Sequence, residues 1–356
     1  MIAMAIFTIV TGAALSLFVQ NEPVFTHQQN QAALNIAIRN SIAQMQLDVT
    51  NAGTGFYTGI NIPGWPVGVT IQNNVVTSGA PCNTPSTYTY GPNCFDTLNI
   101  ISTDPNTPPA HPSDSTGAAC VNLNTSASVY LTPVAPTTTA TLQSDYHSGD
   151  EALIVTSSGQ LYSAVVLTSA PTISGTMVKL AHNVTNADGS NTAANDPLGI
   201  TTLSNSSLGV SFCPTDWVLR LSPITYSVDT TTNPADPQLD RCINSPTCTA
   251  AGSKTVLADQ VIGFKVGAVY WNAANSDTCN DLSALSDDTP KYYYSATSCN
   301  NKFTLIRSIQ VSLIGRTNPT DATTADNYRN GFDGGPYQIE GVSIVVNPRN
   351  MSMNGN

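Results

Sequence analysis

The chain opens on apolar positions without a single charge, MIAMAIFTIVTGAALSLFVQ, and its polarity pattern changes only from Val24 onward. About twenty residues at helical rise reach ~30 Å, the hydrocarbon thickness of one bilayer. Gly12, Ala13, Ala14 and Ser16 interrupt the bulk of Ile6, Ile9, Leu15, Leu17 and Phe18. Small side chains of that kind suit close helix–helix approach as well as lipid. Past Val24 the helical period persists. Leu34, Ile38, Ile42, Met45 and Val49 recur at steps of four and three, while Gln31, Asn35, Arg39, Gln46 and Asp48 fall on other faces. The pattern predicts one helix of roughly 50 residues, about 75 Å long, stopped by Asn51-Ala52-Gly53. Its first half is apolar all round and its second half on one side.

Beyond residue 53 the period shortens. Residues 53–95 are dense in Gly, Pro and aromatics, a composition of turns and short strands. Residues 97–102 read as a strand, and the prolines that follow make 102–117 a loop. A second strand is expected at 126–131, then a Pro- and Thr-rich stretch at 132–149. Residues 152–156 and 161–168 flank Ser-Ser-Gly-Gln, a hairpin signal. A strand at 176–181 precedes a polar insertion at 183–208. Residues 217–228 have strand character interrupted by Pro223, which points to an edge strand or a bend. A cysteine-bearing loop is expected at 230–253. Residues 254–271 read as helix then strand, with 256–262 fitting either. Residues 302–316 alternate well, and 338–346 pair naturally with them across a long polar connection. Two such strands lying across the amphipathic half of the helix would bury both apolar faces. The predicted fold class is α+β: a long N-terminal helix packed on a large antiparallel β-rich head with long loops and disulfides. Residues 1–20 form its membrane or filament-core half, 21–52 its amphipathic half, and 53–356 the head, with insertion-like loops at about 103–150 and 183–208.

Charge and cysteine content narrow the setting. With 12 basic and 23 acidic residues the net charge is −11, and charged residues are only 10% of the 356. That balance argues against nucleic-acid phosphate as a partner. Eight cysteines, Cys82, Cys94, Cys120, Cys213, Cys242, Cys248, Cys279 and Cys299, all lie outside the helix. With no CxxC and four histidines, disulfides in an oxidising compartment are the better reading than zinc. Pairing in sequence order gives Cys82–Cys94, Cys242–Cys248 and Cys279–Cys299 as short loops and Cys120–Cys213 as a long staple, one of 105 connectivities. The first basic residue is Arg39, so the N-terminus lacks the basic region of a cleaved secretory signal. It lacks equally the positive charge that should precede a plain anchor; further residues are expected ahead of Met1.

The N-terminal segment resembles the first helix of type IV pilins and pseudopilins, in which a short leader ends in glycine and the mature chain runs from phenylalanine past a glutamate into an apolar helix. MIAMAIFTIV resembles the continuation of that motif just after the glutamate. VLADQVIGFKVGAVYW, IRSIQVSLIGRT, YRNGF and the terminal VNPRNMSM are similar to the PilW-type minor pilin branch. The likeness covers about residues 1–55 and 255–353. It implies removal of a leader by a prepilin peptidase and residence in the inner membrane through residues 1–20. An ATP-driven assembly machinery would then transfer the chain into an extracellular filament of its own copies and other pilins. Ile6, Ile9, Gly12, Ala13, Leu15, Leu17, Phe18 and Pro23 would pack in the filament core, with the helix unwound somewhere between Gly12 and Pro23 once assembled. A bulky head fits a low-copy minor subunit as well as a building block.

Chemistry beyond this is sparse. His27 lies on the helix and His111, His147 and His182 in polar loops, with no nucleophile elbow, HExxH or phosphate loop; the chain is read as a non-enzyme without cofactor. Asp277, Asp281, Asp287 and Asp288 are weak calcium candidates that lack EF-hand spacing, and Asp333-Gly334-Gly335 reads as a turn. Trp65, Trp217, Trp271 and Tyr292 to Tyr294 are candidates to stack on a surface glycan, though core or loop anchoring is commoner. Asn124, Asn183, Asn205 and Asn350 begin sequons. Arg39 is expected either to stay solvated or to pair with Glu22 or Asp48 of a neighbouring helix. The rival to a filament subunit is an adhesin using its loops.

Overall fold

The computed structural model describes residues 2–53, 69–72, 83–84, 87–123, 126–158, 162–182, 211–243, 248, 254–270, 306–318 and 329–348. Helix α1 runs unbroken over Ile2–Thr50. It ends where Gly53 adopts φ +72°, a left-handed conformation that glycine enters freely, and the Gly53 N–H donates to the carbonyl of Ile101. The helix is therefore tied to the sheet by its first residues past the stop.

Eleven strands make one antiparallel sheet: β1 Val69–Gln72, β2 Thr97–Thr103, β3 Ala110–Ser113, β4 Ser128–Pro133, β5 Glu151–Val155, β6 Tyr162–Val166, β7 Thr172–Ser174, β8 Met177–Ala181, β9 Trp217–Asp229, β10 Gln238–Ile243 and β11 Lys254–Ala258. The path is β1-β2-β9-β3-β4-β8-β7, with β10–β11 and β5–β6 branching from β9. A second, three-stranded sheet holds β12 Val261–Tyr270, β13 Ile306–Arg316 and β14 Ile339–Val346. The chain is thus an α+β protein: one long helix and an antiparallel β domain.

Two cores result. In one, Leu34, Ile38, Ile42, Met45 and Val49 of α1 pack with Val261, Phe264, Ile309, Val311 and Leu313 of the small sheet and with Leu98, Ile100 and Leu239 of the large one. The other collects Val129, Leu131, Leu142, Ile154, Val165, Leu180 and Val218. Strand β9 serves both, because its first residues pair with β5 and its last with β10. Helix and sheet approach closely at Gly315, where a Cβ would come within 2.8 Å of Leu34 and 2.9 Å of Ile38. Gly315→Val is therefore expected to lever the helix outward and cost ~1–3 kcal/mol, read as a lower denaturant midpoint at unchanged slope.

Several sequence expectations need correction. Pro223 does not mark an edge: β9 is flanked on both sides. Pro223 falls at residues 221–223, between the end of β5 pairing at Arg220 and the start of β10 pairing at Ile224, so the missing N–H coincides with a gap between partners. The stretch 102–117 is not all loop. Strand β3 forms within it, and Pro112 sits opposite Leu131 on a strand that meets β9 only at Ala110. Within 132–149, Thr139–Asp145 is a short helix α2, capped by Thr138, whose Oγ1 accepts from the Thr141 N–H at 3.2 Å. Within 230–253, Gln238–Ile243 is strand β10. Residues 254–271 begin not as helix but as strand, turn and strand, the turn using Gln260 at φ +55°. For the three strand segments, pairing with a neighbouring strand overrides a weak local signal. The polar insertion at 183–208 lies outside the described residues.

Candidate functional site

Among the described residues, nothing buries the membrane-length half of α1. An 18-residue window there meets the length and composition for crossing a membrane, and none of it is buried. Ile6, Ile9, Leu15, Leu17 and Phe18 are all exposed, as are Gly12 and Ala13; the backbone stays helical through position 23. Polar side chains in this half fold back on their own helix. Thr8 Oγ1 donates to the Met4 carbonyl at 2.5 Å and Asn21 Nδ2 to the Leu17 carbonyl at 2.7 Å, which lowers the cost of placing them in an apolar medium.

From Leu34 to Val49 the helix is two-sided. One side is the stripe buried against the sheets, at Leu34, Ile38, Ile42, Met45 and Val49. Opposite it, at ~100° per residue, lie Phe25, Ala32, Ile36, Ala43 and Leu47, of which Ile36 and Leu47 are 61% and 56% exposed. These recur at steps of seven and four, an eleven-residue repeat that keeps them on one side of the helix. The second stripe is harder to read from the sequence than the first, because alanines and intervening Gln and Asn dilute it; its signal is the 7-4-7-4 spacing.

The helix is fixed at its far end by charge. Asp48 is buried and accepts from Arg241 Nε at 2.7 Å and from the Tyr226 hydroxyl at 2.5 Å. Burial, then the Asp48 charge, pushes the Tyr226 hydroxyl far up, so it remains a donor. Asp48 is thus engaged within its own chain. Arg39 stays exposed, on a shallow open face of α1 that it shares with Gln28, Gln31, Ala32, Asn35 and Ile36.

At the other end of the head–helix contact sits a second buried cation. Arg316, 1% exposed, lies 5.1 Å from the Tyr90 ring centre and 4.8 Å from that of Tyr337. It donates to Gln260 Oε1 at 2.6 Å and to the carbonyls of Tyr88 and Ala235. Both tyrosine hydroxyls donate to Asp333. Four loops are thereby knotted at one end of the head, and Asp333-Gly334-Gly335 is a turn with Gly334 at φ +72°.

The remaining sequence candidates are dispersed. Cys120–Cys213 and Cys242–Cys248 are bonded, two of the four sequence-order pairs. Cys94 is also disulfide-bonded, while Cys82, Cys279 and Cys299 lie outside the described residues. So do Asp277, Asp281, Asp287, Asp288, Trp65, Trp271, Tyr292 to Tyr294 and the four sequon asparagines. Among the described residues no group of three His, Cys, Asp or Glu converges as a metal site. Trp217 is 36% exposed, with His111 against it at 4.3 Å between ring centres. His147 stands 3.7 Å from Asp150, whose carboxylate is taken by Arg220.

Carboxylates set the acid limit of the head. Burial pushes Asp229 up, but donation from Lys254, Thr231 and Thr232 outweighs it and holds the carboxyl well below its ordinary 3.8. Asp104, beside Arg220, and Asp333, beside two tyrosines, are likewise low, while burial raises Asp240. A depressed carboxyl stabilises the fold fully above its unfolded value and loses that contribution as pH falls toward its folded one. Asp240 acts in the opposite sense, while exposed Asp114, held low by Thr116 and nearby backbone N–H groups, acts with the other three. Stability is expected to decline as pH drops below about 4, and Asp229→Asn to flatten that decline in pH-dependent denaturation.

Compared with family models, with curated proteins and with solved structures, the chain matches none. The functional reading accordingly rests on the helix and what it leaves uncovered.

Proposed function

We propose that the chain is a type IV pilin-like structural subunit of an extracellular filament, held in the inner membrane by its N-terminal helix before copies pack through that helix. One observation carries the reading: an apolar surface runs from Ile2 to Leu47 on the side of α1 that the head leaves bare. Lipid can cover residues 2–19, but not Ile36 and Leu47, which share their helical span with the head. A neighbouring helix covers both regions with one seam. The disulfides fit an oxidising exterior.

The test is to shear surface filaments from cells making the chain and to measure its content in them. Many copies per filament identify a building block, and a few identify a PilW-like minor or tip component. A chain that remains in the membrane fraction while filaments lack it defeats the proposal. Ile9→Lys is expected to cut membrane insertion, since a lysine at mid-helix costs about 2.5–3.5 kcal/mol. In an assembled filament the segment from Gly12 to Pro23 is expected to unwind locally; a density map with continuous helix there would overturn that point.

A further inference from the structure

Strands β9, β10 and β11 turn one face toward α1, where Tyr226 and Arg241 hold Asp48. On the opposite face Thr225, Cys242 and Lys254 stand abreast, as do Ser227, Asp240 and Val256. Asp229, two residues beyond Ser227, shares that face. Lys254 Nζ lies 2.7 Å from Asp240 Oδ2 and 2.9 Å from Asp229 Oδ2. Cys248, bonded to Cys242, sets its sulfur 3.9 Å from the Thr225 carbonyl, so this disulfide lies beside the same three groups.

The two carboxylates are unlike. Asp229 is well supplied with donors: Oδ1 accepts from the N–H groups of Thr231 and Thr232, and Oδ2 from the Thr232 hydroxyl. It stays ionised. Asp240 is 1% exposed, and its Oδ1 has no hydrogen-bond partner among the described residues. A buried carboxylate with one bare oxygen is costly, and that burial raises its affinity for a proton. The ion pair with Lys254 relieves only the other oxygen. A carboxyl that takes up a proton beside an amine is also the electrophile of an amide condensation.

We infer that Lys254 and Asp240 join as a side-chain amide within the chain, with Asp229 as the proton acceptor. The Lys254 ammonium gives one proton to Asp240 Oδ2, leaving a neutral amine and a neutral acid. The amine nitrogen attacks Asp240 Cγ and forms the C–N bond. Asp229 takes a second proton from that nitrogen and passes it to Oδ2, which departs as water when the C–O bond breaks. The remaining N–H keeps Asp229 as its acceptor, and Oδ1 stays as a neutral carbonyl, cheaper to bury than a carboxylate. Position offsets the cost of condensing in water: groups held about 3–3.5 Å apart reach effective molarities of about 10⁵–10⁸ M. Two carboxylates favour the ammonium, so the reactive neutral pair is scarce and the bond forms slowly after folding. Among the described strands β11 pairs with β10 alone, while its Leu257 and Ala258 pack in the core that holds α1. The amide therefore fastens an edge strand on which the helix rests. The inference stands apart from the filament reading.

The experiment is mass spectrometry of the full chain, folded in detergent with its Cys242–Cys248 bond formed, then reduced and denatured. The expected result is a chain one water lighter than its composition requires, and a branched proteolytic peptide joining Asp240 to Lys254. Lys254→Arg and Asp240→Ala chains are expected at full mass, and Asp229→Ala to accumulate the branched peptide at least tenfold more slowly. A folded parent chain at full mass, with linear peptides only, overturns the proposal and leaves a salt bridge. Water lost without a branched peptide marks a succinimide and overturns it equally, as does a branch from Lys254 to Asp229. Branching at the parent rate in Asp229→Ala overturns the role given to Asp229.

Discussion

Replacing Asp48 by alanine is expected to lower the unfolding free energy of the full chain in detergent by about 3–5 kcal/mol, the scale of breaking a buried pair on one side. The Arg241 guanidinium, only 17% exposed, would lose its carboxylate, and the Tyr226 hydroxyl its acceptor. Neither has water enough to replace it. The damage should also be local in a readable way: hydrogen exchange should rise first in the last turns of α1 and in β10. The double substitution Asp48→Leu with Arg241→Met trades the pair for packed apolar groups and is expected to recover most of the loss. A single Asp48→Ala chain as stable as the parent would show that the charge contact does not fasten the helix.

Removing the Cys120–Cys213 bond by serine substitution is expected to cost more than any single surface change. The two cysteines are 93 residues apart, and closing a loop of that length withdraws ~4–5 kcal/mol of freedom from the unfolded chain in the entropic account. The bond sits beside the short ladder of Val121–Asn122 with Ser211–Phe212, which alone could not hold the long excursion between them. The second core should become the less stable of the two, so calorimetry is expected to show one transition splitting into two. A single unshifted transition would contradict this.

How much of this was readable beforehand depended on how far each residue's partners lie along the chain. The buried stripe from Leu34 to Val49 is a property of one helix, and periodicity found all five members. Strands β13 and β14 alternate strongly and pair as expected. Strand β10 did not announce itself, because Gln238, Asp240 and Arg241 gain their places from Asp229, Lys254 and Asp48. Pro112 and Pro223 misled because proline forbids a ladder bond, not a strand; only the layout of neighbouring strands reveals a position where no bond is wanted. The Arg316 knot joins residues 88–90, 235, 260, 316 and 333–337, and no local pattern links five such separated stretches. The outer stripe of Ile36 and Leu47 was visible in principle, but its significance came only from seeing which side the head occupies.

The line of contact from Leu34 to Val49 lies along the helix axis, and that orientation has a mechanical meaning. Tension applied to the N-terminal end of α1 would slide the helix lengthwise across the sheets, straining the whole row of side chains together with the Asp48–Arg241 clasp. Bonds stressed in parallel share the load, whereas bonds peeled from one end fail in turn. A head mounted this way should withstand axial pulling far better than sideways prising, and single-molecule extension along the two directions would show the difference.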